Sequence, residues 1–197
     1  MLRPNYAQDA PPTELTVGGV SYAINTDFRV WLDVLRIVRD LITKPLNDGD
    51  VVHNLETIAA IEQAVFGKII NQPMDQVLDA IRTFAEGYPV APVGAGKNGP
   101  PVYSFDYDLN YIIIAIRNQS GIDLSYRRKK PFHWWEFLLE FNALCGDHYI
   151  LRLMEIRGYD GKDKEMQRQA QRFALPHENT ADDQQALDAL DAMFPDA

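Results

Sequence analysis

Several groups of residues have types and spacings that could do chemistry. Gly94-Ala95-Gly96-Lys97-Asn98 contains the Gly-Lys pair with which a P-loop offers backbone amides and an ammonium to phosphates. The pattern fails in detail, because Ala91 stands five residues before Gly96 where a glycine is required, and Asn98 stands where a Ser or Thr would reach magnesium. Cys145 and His148 are three apart, a spacing that puts thiol and imidazole on one helix face as nucleophile and base. Gly146 breaks such a helix, and the neighbours Phe141-Asn142-Ala143-Leu144 predict an inert, buried thiol. His53, His133, His148 and His177 are widely separated, and none pairs with a cysteine or carboxylate at metal-ligand spacing, so neither a metal nor another cofactor is expected. His133, directly before Trp134, is expected to cap a helix rather than act as a base. Asp106 and Asp108, two apart, point in different directions on a helix and are expected to serve its start, not paired acid–base catalysis. Arg127-Arg128-Lys129-Lys130 is either a solvated loop or a docking patch for an acidic partner. With no positioned constellation, catalytic residues are not expected and the chain reads as a non-enzyme.

The elements that must carry these residues are mainly helices. Gly18-Gly19 between Leu15-Thr16-Val17 and Val20-Ser21-Tyr22-Ala23-Ile24 predicts a small N-terminal hairpin. After the N-cap candidates Asn25-Thr26-Asp27, the spacing of Phe28, Trp31, Leu32, Leu35, Val38 and Ile42 draws the apolar stripe of a helix. A second helix is predicted from Val51 to Phe66, closed by Gly67, and a third from Pro73 to Gly87 with Met74, Val77, Leu78, Ile81 and Phe84 on one face. Further helices are predicted from Asp106 towards Gly121, from His133 to Leu144 and from Tyr149 to Ile156. The expected organisation is a flexible arm over 1–14, a hairpin and first helical half over 15–87, a Pro/Gly linker over 88–102, a second helical half over 103–159 and a polar helical extension or tail over 160–197. In that last stretch Ala186, Leu187, Leu190 and Phe194 restore a weak amphipathic stripe, suited to a docked terminal helix or to a segment that folds on a partner. The fold class is therefore mainly α: a compact multi-helix domain with a small β-hairpin and a helical C-terminal extension.

Charge and composition narrow the function classes. A formal net charge of −9 argues against nucleic acid as a partner, since phosphate affinity needs positive surface, and a hydrophobic content of 46% is enough for a packed core. The longest apolar run, Tyr111 to Ile116, is far short of the ~18 residues of a membrane span. No signal-peptide pattern opens the chain, and the single cysteine excludes an intramolecular disulfide, so a soluble protein of a reducing cytoplasm is expected.

Ile24-Asn25-Thr26-Asp27-Phe28-Arg29-Val30-Trp31-Leu32 after a short hairpin, then Phe105-Asp106-Tyr107-Asp108, Tyr111-Ile112, Gly121-Ile122-Asp123-Leu124, His133-Trp134-Trp135-Glu136-Phe137 and Met154-Glu155-Ile156-Arg157, resemble in order and spacing the gene product fifteen family of long-tailed bacteriophages. The resemblance spans residue 15 to about residue 160, and the H-W-W element is its most specific part. The long Pro/Gly linker and the lengthened C-terminal region depart from the family pattern.

The resemblance implies a tail assembly chaperone: a non-catalytic protein of the infected host's cytoplasm, absent from the mature virion, that binds the phage tape-measure protein, helps recruit tail tube subunits and has scope for self-association. A structural tail component retained in the virion and, remotely, a small enzyme using Cys145 and His148 are the alternatives. For partner binding the expected residues are Trp134, Trp135 and Phe137 on the H-W-W helix, Arg127 and Arg128 in the basic turn, and Leu187, Leu190 and Phe194 near the C-terminus. On one helix Trp134 shares a face with Phe137 and Phe141 while Trp135 lies about 100° away, so one indole is expected to bridge the two halves or meet a partner.

Overall fold

The computed structural model describes residues 9–43, 51–87 and 101–176, with backbone alone at 40–43 and 51–54. Within them an antiparallel hairpin of β1 (Glu14–Val17) and β2 (Val20–Ala23) precedes α1 (Phe28–Thr43), α2 (Val51–Phe66), α3 (Met74–Ala85), α4 (Phe105–Ser120), α5 (Trp134–Asn142), α6 (Tyr149–Arg157) and α7 (Lys164–Arg172). The mainly α class with one N-terminal hairpin is what the sequence predicts. The hairpin pairs Glu14 with Ala23 and Val17 with Val20, and its two turn residues, Gly18 at φ 59° and Gly19 at φ 78°, take the left-handed conformations that match the strands' twist.

Several helix bounds shift from their predicted places for local reasons. Pro73 stands just outside α3, in an extended conformation, and its carbonyl accepts from Gln76 and Val77. α5 stops at Asn142, two residues before Leu144, and α6 runs on to Arg157. The arm predicted over 1–14 is corrected for its last residues: Glu14 is in β1, Ile24 N–H donates to the Thr13 carbonyl, and the Pro12 carbonyl meets His133. Residues 1–8, nearly all of the predicted linker and the stretch after Pro176 lie outside the described residues.

Residues before and after the predicted linker enter one hydrophobic cluster. Its centre is aromatic: Phe28 of α1 stacks on Phe137 of α5 with ring centroids 4.9 Å apart, Trp31 packs on Phe84 of α3 at 4.3 Å, and Phe105 of α4 meets Trp134, Phe137 and Phe141. Trp31, Phe28, Phe84, Trp134 and Phe137 are almost fully buried, so each removes a large apolar area from water. α6 covers α4, and α7, whose nine residues include none that is buried, leans on α6.

Candidate functional site

The segments entering α1 and α5 are tied together by backbone. Phe28 N–H donates to the Phe132 carbonyl and Trp134 N–H to the Thr26 carbonyl, both at 2.8 Å, making a bridge between Asp27 and His133. Each of these residues caps its own helix. Asp27 Oδ1 accepts from Arg29 N–H, while the Arg29 guanidinium closes on both carboxylate oxygens at 2.8 and 2.6 Å. Burial pushes the Asp27 carboxyl up, but the Arg29 hydrogen bonds outweigh it and hold the group below its ordinary value. His133 Nδ1 accepts from Trp135 N–H at 3.0 Å, and its Nε2 lies 2.9 Å from the Pro12 carbonyl. An Nδ1 that accepts cannot carry the proton, so the cap fixes the neutral tautomer with hydrogen on Nε2, donating to Pro12. Burial drives the His133 pKa down, against the opposing pull of Pro12 and Glu136. His133 is thus a helix cap, as its place before the aromatic run predicts.

The tryptophan pair meets the end of α3. Trp134 Nε1 donates to the Ala85 carbonyl at 3.0 Å and Trp135 Nε1 to the Phe84 carbonyl at 2.8 Å. The last carbonyls of a helix have no partner within its ladder; here Trp134 serves that of Ala85, while that of Phe84 accepts from both Trp135 and the Gly87 N–H. Gly87, at φ 73°, ends this turn, and a Cβ there would lie 2.6 Å from Leu138 Cδ1 of α5. Trp134 and Phe137, 1% and 0% exposed, are interior and offer no surface to a partner as the chain is folded. Trp135 is half-buried, and both indoles, not one, reach across to the first half.

A second pairing links Asp108 with Arg157. Arg157 Nη1 and Nη2 donate to Asp108 Oδ2 and Oδ1 at 2.6 and 3.1 Å, with both side chains almost wholly inside. The same guanidinium donates to the carbonyls of Val102 and Phe173, and the Ser104 N–H donates to Asp108 Oδ2. Asp106, beside the helix start, pairs with Arg39 at 2.7 Å. Two carboxylates at a helix start were legible in the sequence; Arg157 as the clamp of one of them was not, because it lies 49 residues away.

Other predicted residues separate into structural and exposed. The Arg128 guanidinium lies over the Phe132 ring at 5.0 Å and its carbonyl accepts from Arg29, whereas Arg127 is exposed over the Tyr126 ring. Tyr126 itself is 82% exposed. The expectation of a buried Cys145 thiol is corrected: Cys145 is exposed, because the chain leaves α5 at Ala143, buries Leu144 and turns through Gly146 at φ 76°. His148 stands at the start of α6, so the two do not share a helix face. No group of three or more potential metal ligands occurs among the described residues. Nor is any helix among them long and apolar enough to cross a membrane. Leu187, Leu190 and Phe194 lie outside the described residues.

What sequence spacing missed is an exposed aromatic stripe. Tyr107, Tyr111 and Ile114 follow one another along α4 at i, i+4 and i+7, and are 56%, 42% and 46% exposed. Tyr149 at the start of α6 stands edge-on to Tyr111, ring centroids 4.8 Å apart. The opposite side of α4 buries Asp108, Ile112, Ala115 and Ile116. The helix therefore carries apolar side chains on both faces, which is why its inner stripe alone did not single out the outer one. With Asp27, His133, Asp108 and Arg157 all used as caps and clamps, this outer face is the candidate interaction site.

No curated protein and no solved structure matches the chain. The family model described as Bacteriophage Gp15 protein matches residues 8–175, which takes in the hairpin and the seven helices found among the described residues. The chain belongs to the bacteriophage Gp15 protein family, a family of phage structural or assembly proteins.

Proposed function

We propose that the chain is a non-catalytic tail assembly chaperone that binds the phage tape-measure protein in the host cytoplasm, helps recruit tube subunits and leaves before the particle is complete. The observation that supports this most is the stripe of Tyr107, Tyr111 and Ile114 beside Tyr149. A tape measure is a long helical protein whose apolar side chains need cover until the tube encloses them. A helix laid against α4 would meet anchors one turn apart, in the helix-to-helix manner by which amphipathic partners are read. Tyrosine suits such a surface, since it brings large area and a polar tip at small entropic cost. A net charge of −9 on the whole chain keeps the loaded complex soluble. Asp27, His133, Asp108 and Arg157 are engaged in holding the fold, which leaves the exposed stripe as the surface a binding protein would use.

Family membership alone is equally compatible with a component retained in the particle. Quantitative mass spectrometry of purified virions separates the two. The chaperone reading expects this chain to be absent or far below the copy number of the tube protein; stoichiometric presence would overturn it.

A further inference from the structure

We propose that residues 182–194 of this chain cover the Tyr107-Tyr111-Ile114 stripe of α4 in the same molecule. The inference concerns the chain alone and holds whether or not a tape measure is the partner of that face.

The first ground is where the described chain ends. Arg157 holds the Phe173 carbonyl at 2.7 Å while its other nitrogens hold Asp108, the residue next to Tyr107. The chain thus passes the base of α4 three residues before its described end at Pro176. Eight residues lie between Phe173 and Asp182, and the nine steps allow up to about 30 Å of extended chain.

The second ground is matching length. Leu187, Leu190 and Phe194 repeat at i, i+3 and i+7, and Tyr107, Tyr111 and Ile114 at i, i+4 and i+7. At 1.5 Å per residue each stripe, if helical, is about 10 Å long.

The third is charge. The stretch 177–197 carries Glu178, Asp182, Asp183, Asp188, Asp191 and Asp196 and neither Lys nor Arg. Between Tyr107 and Ser120, α4 has a single carboxylate, Asp108, which is turned inward against Arg157, and the exposed Arg117 lies one turn beyond Ile114. Asp106, beside Tyr107, is paired with Arg39, so the outer face of α4 receives an acidic segment with little opposing charge and with one cation towards its far end. Tethering makes weak docking sufficient: against an effective concentration of about 1 mM, an intrinsic affinity of about 0.1 mM leaves the segment bound about ten times as often as free.

Hydrogen exchange of the full chain, followed by mass spectrometry over a range of concentrations with the molar mass measured in parallel, tests this. Amides of 185–194 are expected to exchange at least about tenfold more slowly than an unstructured peptide, independently of concentration. Tyr107→Ala with Ile114→Ala should abolish that protection while the amides of Ile112 and Ile116 keep theirs. As a second arm that leaves the helical body untouched, Leu190→Asp should raise the nitration rate of Tyr107 several-fold. Exchange at the unstructured rate, protection that persists in the double variant, protection that grows with dimer formation, or an unchanged nitration rate would each overturn the inference. The dimer result would assign the face to a second copy instead.

Discussion

His133 gives one side chain two tasks that demand one protonation state. Its Nδ1 must be bare to cap α5, and its Nε2 must carry the hydrogen that reaches Pro12. Protonation at Nδ1 would remove the acceptor, and burial already disfavours the cation. Because the folded pKa lies below the ordinary value of about 6.5, the unfolded chain takes up its proton first as the pH falls. The contribution to stability is complete above about pH 6.5 and is lost as the pH falls from there through the folded value. Denaturant unfolding at about pH 7.5 and about pH 5.5 should show this loss in the native chain and a smaller one in His133→Asn, which keeps a capping oxygen but does not titrate. The test reads the difference between the two proteins, so contributions common to both cancel; Asp27, held below its ordinary range, responds only at much lower pH. Equal losses in both would contradict the assignment. The sequence predicts the cap at His133 from its position alone; it does not predict the Pro12 contact, formed across 121 residues.

At the scale of elements, apolar spacing was enough to place the hairpin and most helices, because the periods that bury a face are local properties of the chain. What joins one element to another is not local. Trp134 and Trp135 diverge on α5 by their spacing, yet both reach carbonyls at the end of α3, and nothing in either segment names the other. Asp108 and Arg157 are the clearest case, since the pair fixes α4 against α6 and also holds the chain where it leaves α7. Arg157→Leu leaves a buried carboxylate without its cation and should lower stability by about 3–5 kcal/mol in denaturant unfolding. Asp108→Asn combined with Arg157→Leu should recover a measurable part of that loss, because the uncompensated charge is gone. A loss of less than about 1 kcal/mol in the single variant, the worth of an exposed pair, would show that the clamp is not buried in solution.

For the whole molecule, the segments that resemble the phage family prove to be the segments that hold each other. The Asn25-Thr26-Asp27-Phe28 entry meets the His133-Trp134-Trp135 entry, and Phe105-Asp106-Tyr107-Asp108 meets Met154-Glu155-Ile156-Arg157. Interior placement explains why the aromatic H-W-W helix, legible as a landmark, is a poor choice for the binding surface. The exposed stripe was not legible, since Tyr107, Tyr111 and Ile114 carry the same 3.6-residue period as a core face and only the positions of α5 and α6 show which side is covered. The binding claim therefore rests on that stripe, and co-expression with a fragment of the tape-measure protein tests it most directly. The fragment is expected to be soluble and to co-purify with the native chain, and to aggregate both alone and beside a folded Tyr107→Ala, Ile114→Ala variant; equal solubility of the fragment with and without the chain would contradict the binding claim.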